Sequence, residues 1–153
     1  MATYKPFYIQ KLTDNAPVRD SIEWGIWIKK VPFKVLLDAK DIPSRKWYDQ
    51  HGDDEYVPST IFYEAYEIDC EFVYKGLYES ANAQIKSFMS YLSNGGMFKF
   101  YDRYTKIGRT NVRYVKGDDD PEVFYRREGN DDIVSFKVTL KVNDPVTDIT
   151  LTK

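Results

Sequence analysis

The residue types that most often carry catalysis or bind metals are scarce in this 153-residue chain, which contains one histidine and one cysteine. His51 lies beside Gly52 in a polar stretch typical of an exposed turn, and no Gly-x-Ser-x-Gly sequence supplies a serine nucleophile. One histidine and one cysteine are too few for a zinc site of those ligands. Cys70, as the only cysteine, also excludes an intramolecular disulfide. We expect a protein without catalytic function, metal or cofactor.

Two clusters of acidic residues are the remaining candidates for chemistry. They are Asp49, Asp53, Asp54 and Glu55, and Asp118, Asp119, Asp120 and Glu122. Carboxylates this close together can hold calcium, but neither cluster has the spacing of the twelve-residue calcium loop. Paired carboxylates also hydrolyse glycosidic bonds, although nothing in the sequence marks a sugar cleft. We favour the interpretation that both acidic clusters are solvated turns. A hydrolase that uses these acids is a functional hypothesis, but it is weaker than the two that follow below.

Basic residues are concentrated between residues 103 and 113, which follow the helix predicted below over about residues 80–93. They are Arg103, Lys106, Arg109 and Arg113, with Tyr101 and Tyr104 nearby. Such a group can contact a nucleic-acid backbone in a channel. However, 22 basic and 24 acidic residues give a formal net charge of −2, without the strong basic excess of nucleic-acid or anionic-membrane binders. Salt bridges to acidic loops of a neighbouring subunit are the simpler explanation.

Two long stretches, residues 60–75 and 132–145, organise the predicted fold. Apolar residues alternate with polar ones in both, so each is predicted to be a strand with one buried face. The apolar residues are Phe62, Tyr66, Ile68, Cys70, Phe72 and Tyr74 in the first stretch, and Val134, Phe136, Val138, Leu140 and Val142 in the second. Glu67, Asp69 and Glu71 occupy the opposite face of the first. This pattern favours an antiparallel sheet with one solvated or partner-facing side.

One helix, over about residues 80–93, is predicted beside this sheet. Ser80 is its candidate N-cap, and the glycines of Asn94-Gly95-Gly96 end it. An apolar stripe along it comprises Ala81, Ile85, Phe88, Met89 and Leu92. Residues 6–12 alternate weakly and are predicted as a first strand or an arm. Further strands are predicted over residues 23–30, 97–101, 107–116 and 123–127, the last in a hairpin with 133–142. Residues 146–153 can add an edge strand here or on another subunit. We expect a single domain, residues 1–153, mainly β with one α-helix. The sequence contains no stretch of about 18 apolar residues, so no membrane span is predicted.

Residues 41–58 form the least regular region, a polar loop that is long for a compact domain. It contains Trp47, Tyr48 and Tyr56 in a chain with 13 Tyr, 9 Phe and 3 Trp residues. These rings either pack back on the sheet or dock a neighbouring subunit, since Tyr and Trp are enriched at protein–protein interfaces. The sequence leaves both interpretations open.

The order of these parts resembles bacteriophage tail components, namely the N-terminal domain of distal tail proteins and the related tail-tube fold. The stretches that carry the resemblance are Tyr66-Glu67-Ile68-Asp69-Cys70-Glu71-Phe72-Val73-Tyr74-Lys75-Gly76 followed by the helix, the closing Phe136-Lys137-Val138-Thr139-Leu140-Lys141-Val142-Asn143-Asp144-Pro145, and the loop Arg45-Lys46-Trp47-Tyr48-Asp49-Gln50-His51-Gly52-Asp53-Asp54. The resemblance implies an antiparallel β-sandwich or partly closed barrel flanked by the helix. It also implies that six copies close a ring.

A ring of this kind assigns roles to particular residues. Glu67, Asp69 and Glu71 would face an aqueous lumen, where acidic charge keeps passing DNA from sticking. Trp47, Tyr48 and Tyr56 would dock neighbouring copies. The expected partners are further copies of the chain, other tail or baseplate proteins and, only non-specifically, passing DNA, with no membrane partner. The expected location is the virion tail, assembled in the host bacterial cytoplasm.

A rival hypothesis uses the same fold in a different class of protein. A β-sandwich with one wet face also suits a monomeric module that binds a small ligand or a carbohydrate. The two hypotheses differ in oligomeric state, which the sequence does not give.

Overall fold

A computed structural model describes residues 5–118, 125–128 and 131–153. The chain divides into two compact units. The first, which we call the sheet unit, comprises Met1–Phe33 and Ala65–Lys153, and the second, which we call the arm, comprises Lys34–Glu64. The predicted single domain is not tested by this division and stays a prediction.

The sheet unit contains eight strands and one α-helix among its described residues. The strands are β1 (Phe7–Lys11), β2 (Arg19–Asp20), β3 (Ile26–Lys30), β6 (Tyr66–Gly76), β7 (Phe98–Asp102), β8 (Gly108–Asp118), β9 (Tyr125–Glu128) and β10 (Asp131–Val142). The helix α1 spans Tyr78–Ser93, and a 3₁₀ helix spans Ser21–Trp24. The arm contains β4 (Ser44–Arg45) and β5 (Asp54–Glu55).

The strands of the sheet unit form one antiparallel sheet in the order β2-β1-β7-β8-β10-β6-β3, and β9 pairs with β10 beside the end of β8. An isolated bridge joins Lys5, just before β1, to Ile28 in β3. The amide of Ile28 donates to the carbonyl of Lys5 at 2.6 Å. This bridge joins the start of β1, next to one end of the strand order, to β3 at the other end, so the sheet curls around its apolar face. The prediction of a mainly β fold with one flanking helix is confirmed.

The two long predicted strands are neighbours and form the centre of the sheet. β6 and β10 pair over eleven consecutive positions, with Val138 opposite Cys70 and Leu140 opposite Ile68. These four side chains are all at most 4% exposed. The alternation predicted for both strands is therefore confirmed over the paired residues, because each apolar row meets the other on the buried face.

Helix α1 covers the buried face with its apolar stripe. Phe88 is fully buried, and its ring centroid lies 5.6 Å from that of Phe72 and 5.8 Å from that of Phe7. Phe7 in turn stacks on Phe100 at 4.6 Å. The helix begins two residues before the predicted Ser80, with Leu77 as N-cap and no side-chain cap bond. Gly95 and Gly96 adopt positive φ angles after the helix, as their sequence predicted.

Residues 23–30 are not one continuous strand. Asp20 caps the 3₁₀ helix by accepting from the amide of Ile22 at 3.1 Å, and Gly25 ends that helix in the left-handed conformation at φ 67°. β3 starts only after this turn. Trp24 is buried all the same, 5.4 Å from the Phe88 ring, because the short helix directs it toward α1.

Two further expectations differ from the structure. The first long strand begins at Tyr66 and not at residue 60, so Phe62 lies in the arm and is 67% exposed. Residues 146–153 form no strand, although their Ile149 amide donates to the carbonyl of Gly108 at 3.4 Å. Leu151 is 6% exposed, so the end of the chain packs on the sheet unit as a strap. The predicted turn at residues 129–130 lies outside the described residues.

In the arm, two segments of the chain run antiparallel to each other. Ala39 bridges Tyr63, and Ser44 and Arg45 pair with Glu55 and Asp54. Two strands of two residues each bury little apolar surface, so such a hairpin has little stability of its own.

Candidate functional site

The acidic residues predicted to face a lumen lie on the outer face of β6. Glu67 and Asp69 are exposed and Glu71 is half-buried. Each has a cross-strand neighbour on β10. Glu67 lies opposite Lys141, Asp69 opposite Thr139, and Glu71 opposite Lys137.

These neighbours balance much of the acidic charge. The Thr139 hydroxyl donates to Asp69 at 2.7 Å, and the Lys137 ammonium lies 3.9 Å from the Glu71 carboxylate. On the outer strands of the same face, Lys116 lies opposite Thr139, Arg113 opposite Lys141, and Lys30 opposite Glu71. The face therefore carries both signs of charge. The sequence of β6 alone does not reveal this, because the balancing residues lie on β10, β8 and β3.

The aromatic residues predicted to dock a neighbour are all exposed. Trp47 is 44% exposed, Tyr56 is 72% exposed and Tyr48 is fully exposed. The arm also exposes Val35, Leu36, Val57 and Phe62. A set of exposed apolar residues in one segment is typical of an interaction surface. The exposure meets the requirement of the docking role, which stays a prediction.

The tip of the arm is held by a small side-chain cluster. The Trp47 indole N–H donates to the Asp54 carboxylate at 3.4 Å, and the Arg45 guanidinium lies 5.5 Å from the centre of the Trp47 ring. Asp53 and Glu55 flank Asp54 and are exposed. An organised tip with outward-facing carboxylates and rings is suited to contact another macromolecule.

The predicted basic cluster is divided by the fold. Arg109 is buried and pairs with Asp148 of the strap, while Arg113 lies on the outer sheet face. Arg103 and Lys106 lie in the turn after β7 instead, where two clefts open. The larger cleft encloses about 300 Å³ and is lined by Lys5, Ile28, Lys29, Asp102 and Tyr104.

Two lysines of the larger cleft, Lys5 and Lys29, lie far in sequence from the predicted basic cluster. They come next to Arg103 and Tyr104 only because the Lys5–Ile28 bridge and the pairing of β1 with β7 place them there. The Lys5 ammonium lies 5.0 Å from the centre of the Tyr104 ring, and the Arg103 guanidinium lies 4.5 Å from that of Tyr8. No local sequence signal identifies this grouping.

The one cysteine of the chain, Cys70, is buried in the sheet unit. Within residues 5–118, 125–128 and 131–153, no group of three or more histidine, cysteine, aspartate or glutamate side chains is placed to hold a metal ion. Burial raises the pKa of the Cys70 thiol well above its ordinary value. No helix within those ranges has the length and apolar character needed to span a bilayer.

Comparison with known proteins gives a likeness of fold. No protein-family model matches the chain, and no curated protein matches it in sequence. Among solved structures, the chain is similar to the phage SPP1 Dit protein (gp 19.1), described as a paradigm of the hub adsorption apparatus in phages that infect Gram-positive bacteria. The TM-score is 0.59 at 12% sequence identity, over 91% of this chain and 50% of the other. The chain therefore shares the fold of a phage hub protein and spans half of that protein's length.

Proposed function

We propose that this chain is a structural component of the tail of a phage or phage-derived particle, where copies form a hexameric ring at the tail tube or its distal end. The observation that carries the proposal is the likeness of fold to a phage hub protein over 91% of the chain. The tail resemblance found in the sequence rests on residues 66–76 with the helix that follows, on residues 136–145 and on the loop of residues 45–54. In this role the protein has no catalytic function, requires no cofactor, and resides in the virion after assembly in the host bacterial cytoplasm.

The exposed arm supports assembly. Its rings are costly to leave in water, and its short strands bury little of them. Contact with another copy, or with another tail or baseplate protein, removes this exposure. A contact between two different patches of identical subunits is heterologous, and it closes a ring when its rotation divides a full turn.

In the ring, the outer face of β6 is the candidate lumen wall. Glu67, Asp69 and Glu71 alternate there with the lysines of β10, so the wall would be mixed in charge. Such a surface offers neither a continuous basic track nor a base-reading element, so it would contact passing DNA only non-specifically.

Oligomeric state tests the proposal. Size-exclusion chromatography with light scattering should give a mass that is a multiple of the chain mass at micromolar concentration. Trp47→Ala should weaken this assembly and leave the chain folded, with an unchanged circular dichroism spectrum, whereas Ile22→Ala, at a side chain that is also about half exposed but in the sheet unit, should change neither assembly nor fold. A strict monomer at every salt concentration would favour the monomeric ligand- or carbohydrate-binding module. If Trp47→Ala unfolds the protein, that ring is part of the core and not of an interface.

A further inference from the structure

The clefts beside the β7–β8 turn form a surface with an excess of positive charge. We call it the basic groove and define it by Lys5, Lys29, Arg103 and Tyr104, which line the two adjoining clefts. Arg103 is paired with Asp20 at 3.4 Å, but no ion pair joins Lys5 or Lys29 to any described residue. The groove therefore presents two ammonium groups beside a tyrosine ring that is 68% exposed.

Asp102, the one acid among the described residues that line the groove, already accepts hydrogen bonds. Asp102 is 4% exposed, and it accepts from the Tyr104 amide at 2.9 Å and from the Thr105 hydroxyl at 3.0 Å. These bonds fix the carboxylate in the turn below the groove. An incoming anion would meet the lysines first.

The arm carries the opposite charge. Residues 34–64 contain seven carboxylates and four basic side chains, a formal charge of −3, while the remaining residues contain 17 acidic and 18 basic side chains, a charge of +1. The excess is greatest at the tip, where Asp49, Asp53, Asp54 and Glu55 lie close in sequence beside exposed rings. The chain thus carries an acidic aromatic tip and a basic aromatic groove.

We propose that the acidic tip of the arm of one copy docks in the basic groove of another copy, an inference that rests on the proposed assembly into a ring. Asp53 and Glu55 reach Lys5 and Lys29, and the exposed rings of the tip cover Tyr104. Each copy contributes a tip to one neighbour and a groove to the other, which is the heterologous contact that a closed ring requires. Charge complementarity of this kind sets the register and partner of a contact.

Nucleic acid is the other ligand that a basic aromatic surface can take. Strong binding to nucleic acid requires a track of cations along many phosphates and is typical of basic domains. The groove offers two unpaired lysines in a space of about 300 Å³, on a chain of net charge −2. A short acidic segment fits this surface better than a polynucleotide backbone does.

Charge reversal on each surface separately, and then on both, tests the docking. The groove variant is Lys5→Glu with Lys29→Glu, and the tip variant is Asp53→Lys with Glu55→Lys. Asp54 is left intact because it holds Trp47. Lys75→Glu with Lys86→Glu serves as the matched control, since both lysines are exposed on the sheet unit and neither lines the groove. All are made in the full chain and compared by sedimentation velocity.

We expect either reversed variant alone to assemble about tenfold more weakly than wild type, the scale of two or three exposed ion pairs. The control should assemble as wild type does. An equimolar mixture of the groove and tip variants should regain assembly, because a basic tip then meets an acidic groove and an acidic tip meets a basic one. Raising the salt from about 50 to about 500 mM should weaken wild-type assembly and leave the folded state intact.

The outcomes separate this inference from the proposed function. If wild type assembles and neither reversal weakens it, or the mixture does not recover, the docking is wrong and the ring still stands. If wild type stays monomeric at every salt concentration, both fail. Fluorescence anisotropy with a labelled single-stranded oligonucleotide tests the nucleic-acid alternative. If wild type binds the oligonucleotide, and the groove variant loses this binding but assembles as wild type does, the groove is a nucleic-acid site and the docking is wrong.

Discussion

Replacing Gly108 by alanine should dislodge the strap at the end of the chain. Gly108 begins β8 where the strap, residues 146–153, crosses the sheet unit, and the Ile149 amide donates to its carbonyl at 3.4 Å. A Cβ at Gly108 would lie 2.2 Å from the Ile149 carbonyl oxygen and 2.8 Å from its Cγ1. Since the nearer atom belongs to the backbone, the strap itself must move by about 1 Å or more to restore van der Waals separation.

The expected cost follows from what the strap contributes. Overpacking of this kind costs about 1–3 kcal/mol. If the strap detaches to relieve it, Leu151 loses its burial, worth about 1.5–3 kcal/mol, and the buried Arg109 loses Asp148. Because the protein relaxes by the less costly route, the expected destabilisation is about 1–3 kcal/mol. In a chain of this size that lowers the unfolding temperature by about 2–12 °C.

Calorimetry and amide hydrogen exchange measure the two parts of this prediction. The unfolding temperature should fall, and the Ile149 amide should lose protection. Gly117→Ala is the matched control on the same strand, because among the described residues its Cβ would meet the Tyr114 hydroxyl at 3.3 Å and the Met89 methyl at 3.6 Å, the ends of two movable side chains. It should cost no more than about 0.5 kcal/mol. The reasoning is refuted if Gly108→Ala unfolds at the wild-type temperature with the Ile149 amide still protected.

Three further predictions concern the core, the thiol and the acid limit of stability. Phe88→Ala should lower the free energy of unfolding by about 3–5 kcal/mol in urea titration, because the ring is fully buried among Phe7, Phe72 and Trp24; a loss below 1 kcal/mol would show that α1 is not part of the core. Cys70 should resist a thiol-specific reagent at pH 8 until the protein unfolds, because burial raises its thiol pKa, and rapid labelling of the folded protein would contradict that burial. Hydrogen bonds from Lys153 and Arg19 lower the pKa of Glu23 in the folded state. The ionised carboxylate therefore stabilises the fold at pH values above its unfolded pKa of about 4.5. This contribution is lost as the pH falls through the lower folded pKa. Glu23→Gln should therefore cost at most about 1 kcal/mol at pH 7 and nothing at pH 2, and an equal cost at both would mean that charge is not involved.

The long elements were predictable from sequence because each carries its own periodic signal. β6 and β10 alternate over most of their lengths, and α1 combines an apolar stripe with a glycine pair at its end. These patterns specify which face is buried without reference to any other part of the chain. The core residues of the two strands and the helix follow from them.

Short elements were predicted less well, since tertiary contacts decide their conformation. Residues 23–30 alternate like a strand, yet Asp20 and Gly25 supply the cap and the left-handed residue that turn the first part into a 3₁₀ helix. Phe62 continues the apolar row of β6 in sequence, yet the chain enters the arm before reaching it. Alternation over a few residues does not show where pairing stops.

The candidate surfaces divide in the same way. The arm rings and the acids of β6 were found because their types stand out locally. The lysines that balance those acids lie on β10, about 70 residues further along the chain, and the basic groove depends on a bridge between residues 5 and 28. The charge of a folded surface depends on several neighbouring strands. The sequence of β6 alone therefore shows its acidic residues but not the lysines of β10 that lie opposite them.

Electron microscopy of the purified full chain tests the central claim most directly. The account predicts annular particles with a central opening, whose averaged views show six equal subunits of an 18.0 kDa chain. Particles of single-chain size at every protein and salt concentration would contradict it.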